Sequence, residues 1–192
     1  MHKLTIGAGL LLLGLAACDS APAPNESVAN AAVAANDSAP GPAPMPAPAI
    51  VLEGAGLRIP SATPPRTLAF GMPEAEAIAA LTKALGRAPT ERGDNAECGG
   101  GAMKFAAWEG EITAWFLDGS FAGWDNKGGL KTLDGVGIGS SRSEVGALPG
   151  FEVEESTLGT EFRAGGLSGT LASTSPDAKV THLWGGATCV VR

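Results

Sequence analysis

Few side chains in this 192-residue sequence have the chemistry of catalysis. Apart from His2, His182 is the only histidine, so a mechanism in which histidine activates a serine or cysteine must use it. The serine motifs Gly-x-Ser-x-Gly and Ser-x-x-Lys do not occur after residue 18. We therefore expect no catalytic residues and favour a packed or edge position for His182, with a small hydrolase using His182 as an alternative.

The glycine-rich segment 134–146 precedes a predicted helix, which is the context of a dinucleotide-binding loop. It lacks the third glycine of that motif, and the chain does not alternate strand and helix. An NAD-dependent dehydrogenase is therefore disfavoured.

Glu152 and Glu154 suggest paired carboxylates, but strand alternation places both on one solvated face. We expect neither a metal nor a cofactor.

The N-terminal residues have the plan of an export signal. Lys3 is followed by an apolar run over residues 4–15, which is shorter than the ~20 residues that cross a bilayer. The segment Leu15-Ala16-Ala17-Cys18 then resembles the lipobox of bacterial lipoproteins.

The lipobox resemblance implies cleavage after residue 17 and a lipid on Cys18, which anchors the protein to a membrane. It places the protein in the cell envelope, facing the periplasm, and leaves open whether the inner or the outer membrane holds it. A plain signal peptide with an incidental cysteine is the alternative interpretation.

Two further cysteines, Cys98 and Cys189, complete an odd total of three. If Cys18 carries lipid, these two remain as a pair in an oxidising compartment, where disulfides persist. A bridge between them would close a loop of about 90 residues and contribute ~4–5 kcal/mol in the chain-entropy model. Two buried free thiols are the alternative.

Residues 18–49 are predicted to form a disordered linker, because they are rich in Ala and Pro and cannot bury a core. Residues 50–192 are long enough for one domain. They hold 12 Lys and Arg against 17 Asp and Glu, a net charge of −5. This charge argues against nucleic acid as a partner.

Two parts of this domain are similar in sequence and look like an internal repeat. Residues 71–77 align with 139–145, and residues 111–116 align with 179–184, at the same offset of 68. Two independent matches at one spacing indicate an internal repeat, with copies at about 57–124 and 125–192.

Each copy is predicted to begin with a helix and to continue as strands. Pro73 suits the start of the first helix and Gly86 its end. Ser141 and Glu144 have the spacing of a capping box at the start of the second. The predicted strands are residues 105–108, 111–117, 121–124, 151–156, 160–164, 167–173 and 179–184. The predicted fold class is α+β, with two tandem helix-then-antiparallel-meander repeats and the helices packed on one sheet face.

This helix opening, Gly-Met-x-x-x-Glu-Ala, and the tandem plan resemble the fold of β-lactamase-inhibitor proteins and small outer-membrane assembly lipoproteins. The resemblance implies a non-catalytic module that binds another protein through a concave sheet face. It covers roughly residues 57–192 and identifies no partner.

An aromatic cluster between residues 105 and 124 is the feature with functional content. Alternation along the predicted strand places Ile112, Ala114 and Phe116 on one face. It places Thr113, Trp115 and Leu117 on the other. Core packing is favoured for this face, and the alternative is an exposed partner-binding surface rich in tryptophan.

Taken together, these features of the sequence predict a lipid-anchored envelope module that binds a protein. A hydrolase and a binder of a small apolar ligand are the alternatives.

Overall fold

An eight-stranded antiparallel sheet and a three-stranded sheet form most of the fold. The computed structural model describes residues 48–99 and 101–189. The chain divides into two units, Met1–Ala43 and Pro44–Arg192, and the described residues belong to the second. The predicted signal peptide, the lipidation of Cys18 and most of the predicted linker lie outside the described residues.

The elements follow one another along the chain as β1 (Val51–Glu53), β2 (Gly56–Ile59), β3 (Arg66–Ala69), α1 (Glu74–Leu85), β4 (Glu91–Asn95), β5 (Met103–Trp108), β6 (Ile112–Leu117), β7 (Ser120–Asn126), α2 (Arg142–Gly146), β8 (Glu152–Ser156), β9 (Gly159–Ala164), β10 (Leu167–Leu171) and β11 (Val180–Gly186). The small sheet has the order β1-β2-β3, and the large sheet has the order β4-β5-β6-β7-β11-β10-β9-β8.

Helix α1 is the main helix, and its prediction is confirmed. Its first turn carries Glu74 and Glu76 at the positive end of the helix dipole, and its last turn carries Lys83 at the negative end. Gly86 ends the helix at a φ of 68°, a left-handed conformation that glycine adopts without a Cβ clash. Leu81 is fully buried and attaches the helix to the core.

Helix α2 has the predicted capping box but only five residues. The backbone N–H of Ser141 donates to Glu144 Oε2 at 2.6 Å, and the backbone N–H of Glu144 donates to Ser141 Oγ at 3.3 Å. The first of these bonds is the main reason that the pKa of Glu144 lies below its ordinary value. Val145 is the one buried side chain of α2, too little apolar surface to extend a helix of this length.

The predicted α+β fold with two tandem helix-then-meander repeats is therefore wrong. Antiparallel sheet dominates, and α1 is the one main helix among the described residues. The strands after α1 and those after α2 do not form separate units, because β7 pairs with β11 and joins all eight strands into one sheet. The sequence also failed to predict β1–β3, which form the small sheet.

The main core lies against one face of the large sheet, called here the front face. Ala106, Phe116 and Phe162 of the large sheet share this core with Leu68 of β3 and Leu81 of α1. The small sheet and α1 thus cover the front face, which explains why apolar residues recur at every second position of the central strands.

Trp124 joins the two sheets. Its indole Nε1–H donates to the carbonyl of Gly56 at 2.9 Å and to that of Glu53 at 3.2 Å. On the neighbouring strand its register partner is Gly185. A Cβ at Gly185 would lie 2.7 Å from the Trp124 ring, so only glycine leaves room for the indole there.

We expect Gly185→Ala to lower the free energy of unfolding by about 1–3 kcal/mol, because the added methyl group forces Trp124 out of its place. Denaturant unfolding measures the change. Gly129→Ala is the matched control, since no atom lies within 4 Å of a Cβ there, and it should change stability by less than about 1 kcal/mol. Equal stability of both variants would contradict this packing.

Candidate functional site

The face predicted to bind a partner lies on β6 and points away from the main core. Trp115 is 8% exposed and Thr113 is 7% exposed, while Leu117 is half-buried. The indole Nε1–H of Trp115 donates to Asp125 Oδ2 at 2.8 Å. Both the ring and the polar atom of Trp115 are therefore already engaged within the protein.

A disulfide between Cys98 and Cys189 covers this face. The sulfur atoms are 2.05 Å apart and the Cα atoms 4.8 Å apart, so the predicted pairing is confirmed. Cys98, Met103 and Trp115 form a second buried cluster, against which Cys189 and Leu117 pack. Thr113 and Trp115 are buried and Leu117 is half-buried, so this face has the core packing favoured from the sequence and not the alternative, an exposed surface.

The two covering segments are themselves held in place. Cys98 lies in the connection between β4 and β5, where the backbone N–H of Gly101 donates to its carbonyl at 3.0 Å. Cys189 follows β11, and the backbone N–H of Ala187 donates to the carbonyl of Ala122 at 2.8 Å. Distant parts of the chain thus meet above Trp115, and the disulfide links them.

The rest of this back face, on β8 to β11, carries a polar row. The strand register aligns Glu154 with Glu161, Glu161 with Thr170, and Thr170 with His182. A β-bulge at Thr181 places Thr181 and His182 together at the surface, between the buried Val180 and Leu183.

His182 is held by the hydroxyl of Thr170, which in turn contacts the hydroxyl of Thr181. Its Nδ1 lies 3.0 Å from Thr170 Oγ1, which is 2.7 Å from Thr181 Oγ1. A hydroxyl beside an imidazole is also the arrangement of an activated nucleophile. Thr170 is 7% exposed, however, so its hydroxyl has little access to a substrate. The three side chains instead satisfy one another's polar atoms at the bulge.

The carboxylates of β8 lie on the solvated face that the sequence predicts. Glu152 and Glu154 are exposed, whereas Val153 packs against the main core. Arg163 of β9 is 3.2 Å from Glu154. In residues 48–99 and 101–189, no group of His, Cys, Asp and Glu side chains has the geometry of a metal site.

A second surface feature is a groove between the turn that joins β2 to β3 and the last turns of α1. Ile59, Ala62, Ala80 and Ala84 line it, with Lys83 and Arg66 of β3 among the charged residues. Nothing in the sequence pattern predicts this groove. Pro64 and Pro65 do mark a turn here, but alanines on a helix give no signal of an open surface.

Comparisons with known proteins show no family for this chain. No protein-family model matches the chain, and no curated protein matches it. A solved structure, that of the uncharacterized protein YfeY from Escherichia coli, is similar at 16% sequence identity and a TM-score of 0.45. The match covers 63% of this chain and 92% of that chain.

Within the described part of the chain, no helix has the length and hydropathy of a membrane span.

We expect the double variant Cys98→Ala, Cys189→Ala to lose about 2–5 kcal/mol of unfolding free energy, because the disulfide restrains the unfolded chain. Its loss should also loosen the cover of Trp115 and shift tryptophan emission to longer wavelength. Denaturant unfolding and fluorescence spectra measure both effects.

The same double variant with Trp115→Phe is the control for the spectrum, because the shift should shrink when this tryptophan is absent. An unchanged unfolding midpoint, or a red shift of equal size without Trp115, would show that the disulfide does not stabilise this face.

Proposed function

We propose that the protein is a lipid-anchored, non-catalytic module of the bacterial cell envelope that binds another protein. The observation that carries the proposal is the disulfide between Cys98 and Cys189. Disulfides persist in oxidising compartments outside the cytoplasm. Their pairing leaves Cys18 as the odd cysteine, within the sequence that resembles a lipobox.

The uncovered polar part of the back face is the surface we assign to the partner. Glu152, Glu154, Arg163, Thr181 and His182 are exposed there, next to the buried Glu161. The two exposed carboxylates, Glu152 and Glu154, outnumber the one arginine and make the surface acidic. We therefore assign as its occupant an envelope protein that presents a basic surface, since complementary charge favours encounter and selects the partner.

Cys18→Ser tests the anchor. We expect the variant to move from the membrane fraction to the soluble fraction or to remain an unprocessed precursor, because a serine hydroxyl cannot form the thioether. Cell fractionation with immunoblotting measures the distribution. The double variant Cys98→Ser, Cys189→Ser is the matched control and should stay with membranes. If Cys18→Ser behaves like the unmodified protein, the lipid anchor is excluded.

Charge reversal tests the binding surface. After crosslinking in intact envelopes, Glu154→Lys should reduce the yield of the crosslinked complex several-fold, because it repels a basic partner. Glu91→Lys, on the opposite edge strand β4, makes the same change in net charge and should leave the yield unchanged. Equal yields from the two variants would place the partner elsewhere on the protein.

A further inference from the structure

The groove between the β2–β3 turn and α1 has the size of a small-molecule site. Its volume is about 560 Å³, within the range of about 300–1,000 Å³ that is typical of ligand pockets. The groove belongs to the front side of the fold, where the small sheet and α1 cover the core, and it shares no lining residue with the acidic back face.

The floor of the groove is apolar. Ile59 is 5% exposed and Ala80 is 8% exposed, and both belong to the main core. Ala62 and Ala84 are half-buried and pack against that core. Ala80 and Ala84 are one helical turn apart, so their short side chains face the same direction and leave space that larger side chains would fill. A hydrocarbon chain on this floor would gain the free energy of removing apolar surface from water.

Two cationic side chains, Arg66 and Lys83, line this apolar groove. Lys83 is exposed, and within the described residues it takes part in no ion pair. Arg66 lies 3.4 Å from Glu76, and both side chains of that pair are largely exposed to solvent. Such exposed pairs are weak, and a guanidinium has five N–H donors. Both cations can therefore donate hydrogen bonds to an anionic head group. They do so in a domain whose net charge is negative.

Both walls of the groove are fixed by the fold. Arg66 of β3 pairs in register with Ile59 of β2, which closes the turn between them. On the other side, Ala77 and Leu81 bury α1 in the main core. A site with fixed walls loses little conformational entropy when a ligand binds.

We infer that this groove binds a fatty acid, meaning a single hydrocarbon chain that ends in a carboxylate. The chain lies along Ile59, Ala62, Ala80 and Ala84, and the carboxylate is held by Lys83 and Arg66. A neutral apolar molecule would leave Lys83 without an ion pair among the described residues, and a small polar anion would leave the floor exposed to water. This inference is independent of the protein partner, because the two surfaces are separate.

Calorimetric titration of the full-length Cys18→Ser protein with decanoate, below its micelle concentration at neutral pH, tests the inference. We expect saturable binding of one decanoate per protein. 1-Decanol has the same chain without the charge, and it should bind at least about tenfold more weakly. Equal affinity for the two compounds would overturn the role of the cations.

Two pairs of substitutions locate the site. Ala84→Trp fills the groove and should abolish decanoate binding, whereas Ala79→Trp, exposed on the same helix and outside the groove, should not. Lys83→Glu should weaken binding at least about tenfold, whereas Lys104→Glu, on β5, should leave it unchanged. Lys83 is exposed, so this variant keeps the fold. Absence of saturable binding, or binding that survives both Ala84→Trp and Lys83→Glu, would overturn the inference.

Discussion

The indole of Trp124 connects the large sheet to the small one. Its N–H donates to Gly56 and Glu53, since a buried indole N–H requires an acceptor. The acceptor at Gly56 is 68 residues away in sequence. This contact fixes where the small sheet lies on the front face, and it thereby sets one wall of the groove. The burial of the front face also depends on it, because the small sheet covers central strands of the large one.

Aromatic rings over glycine recur in the large sheet. Besides Trp124 and Gly185, the ring of Phe162 lies over Gly169 and that of Phe105 over Gly93, each pair in register on neighbouring strands. In each pair the ring covers backbone that a side chain would otherwise cover, and any Cβ at the glycine would collide with it. These glycines are therefore required for packing, because each leaves the space that the neighbouring aromatic ring fills. The pattern explains how a domain with many glycines still builds regular strands.

Local sequence patterns predicted the strands β5 to β11 and α1, but not how they assemble. Alternation and glycine turns are local, whereas the pairing of β7 with β11 joins strands far apart in the chain. Strand β4 was missed because Glu91 and its neighbours are polar and show no alternation. The cysteine count predicted the disulfide, but its position above Trp115 depends on two segments 91 residues apart. The groove was missed because Ala80 and Ala84 are ordinary helix residues.

The strand order has a consequence for how the chain reaches its native state. Among the described residues, β11 is the last strand in sequence, yet it lies in the middle of the large sheet, between β7 and β10. The meander β4–β7 can pair locally as soon as it is complete, but β7 then keeps an open edge until residues 180–186 arrive. Late, long-range pairing slows folding, and an open central edge is a template for association with other chains. Loss of β11 would therefore leave two separate half-sheets rather than one slightly narrower sheet.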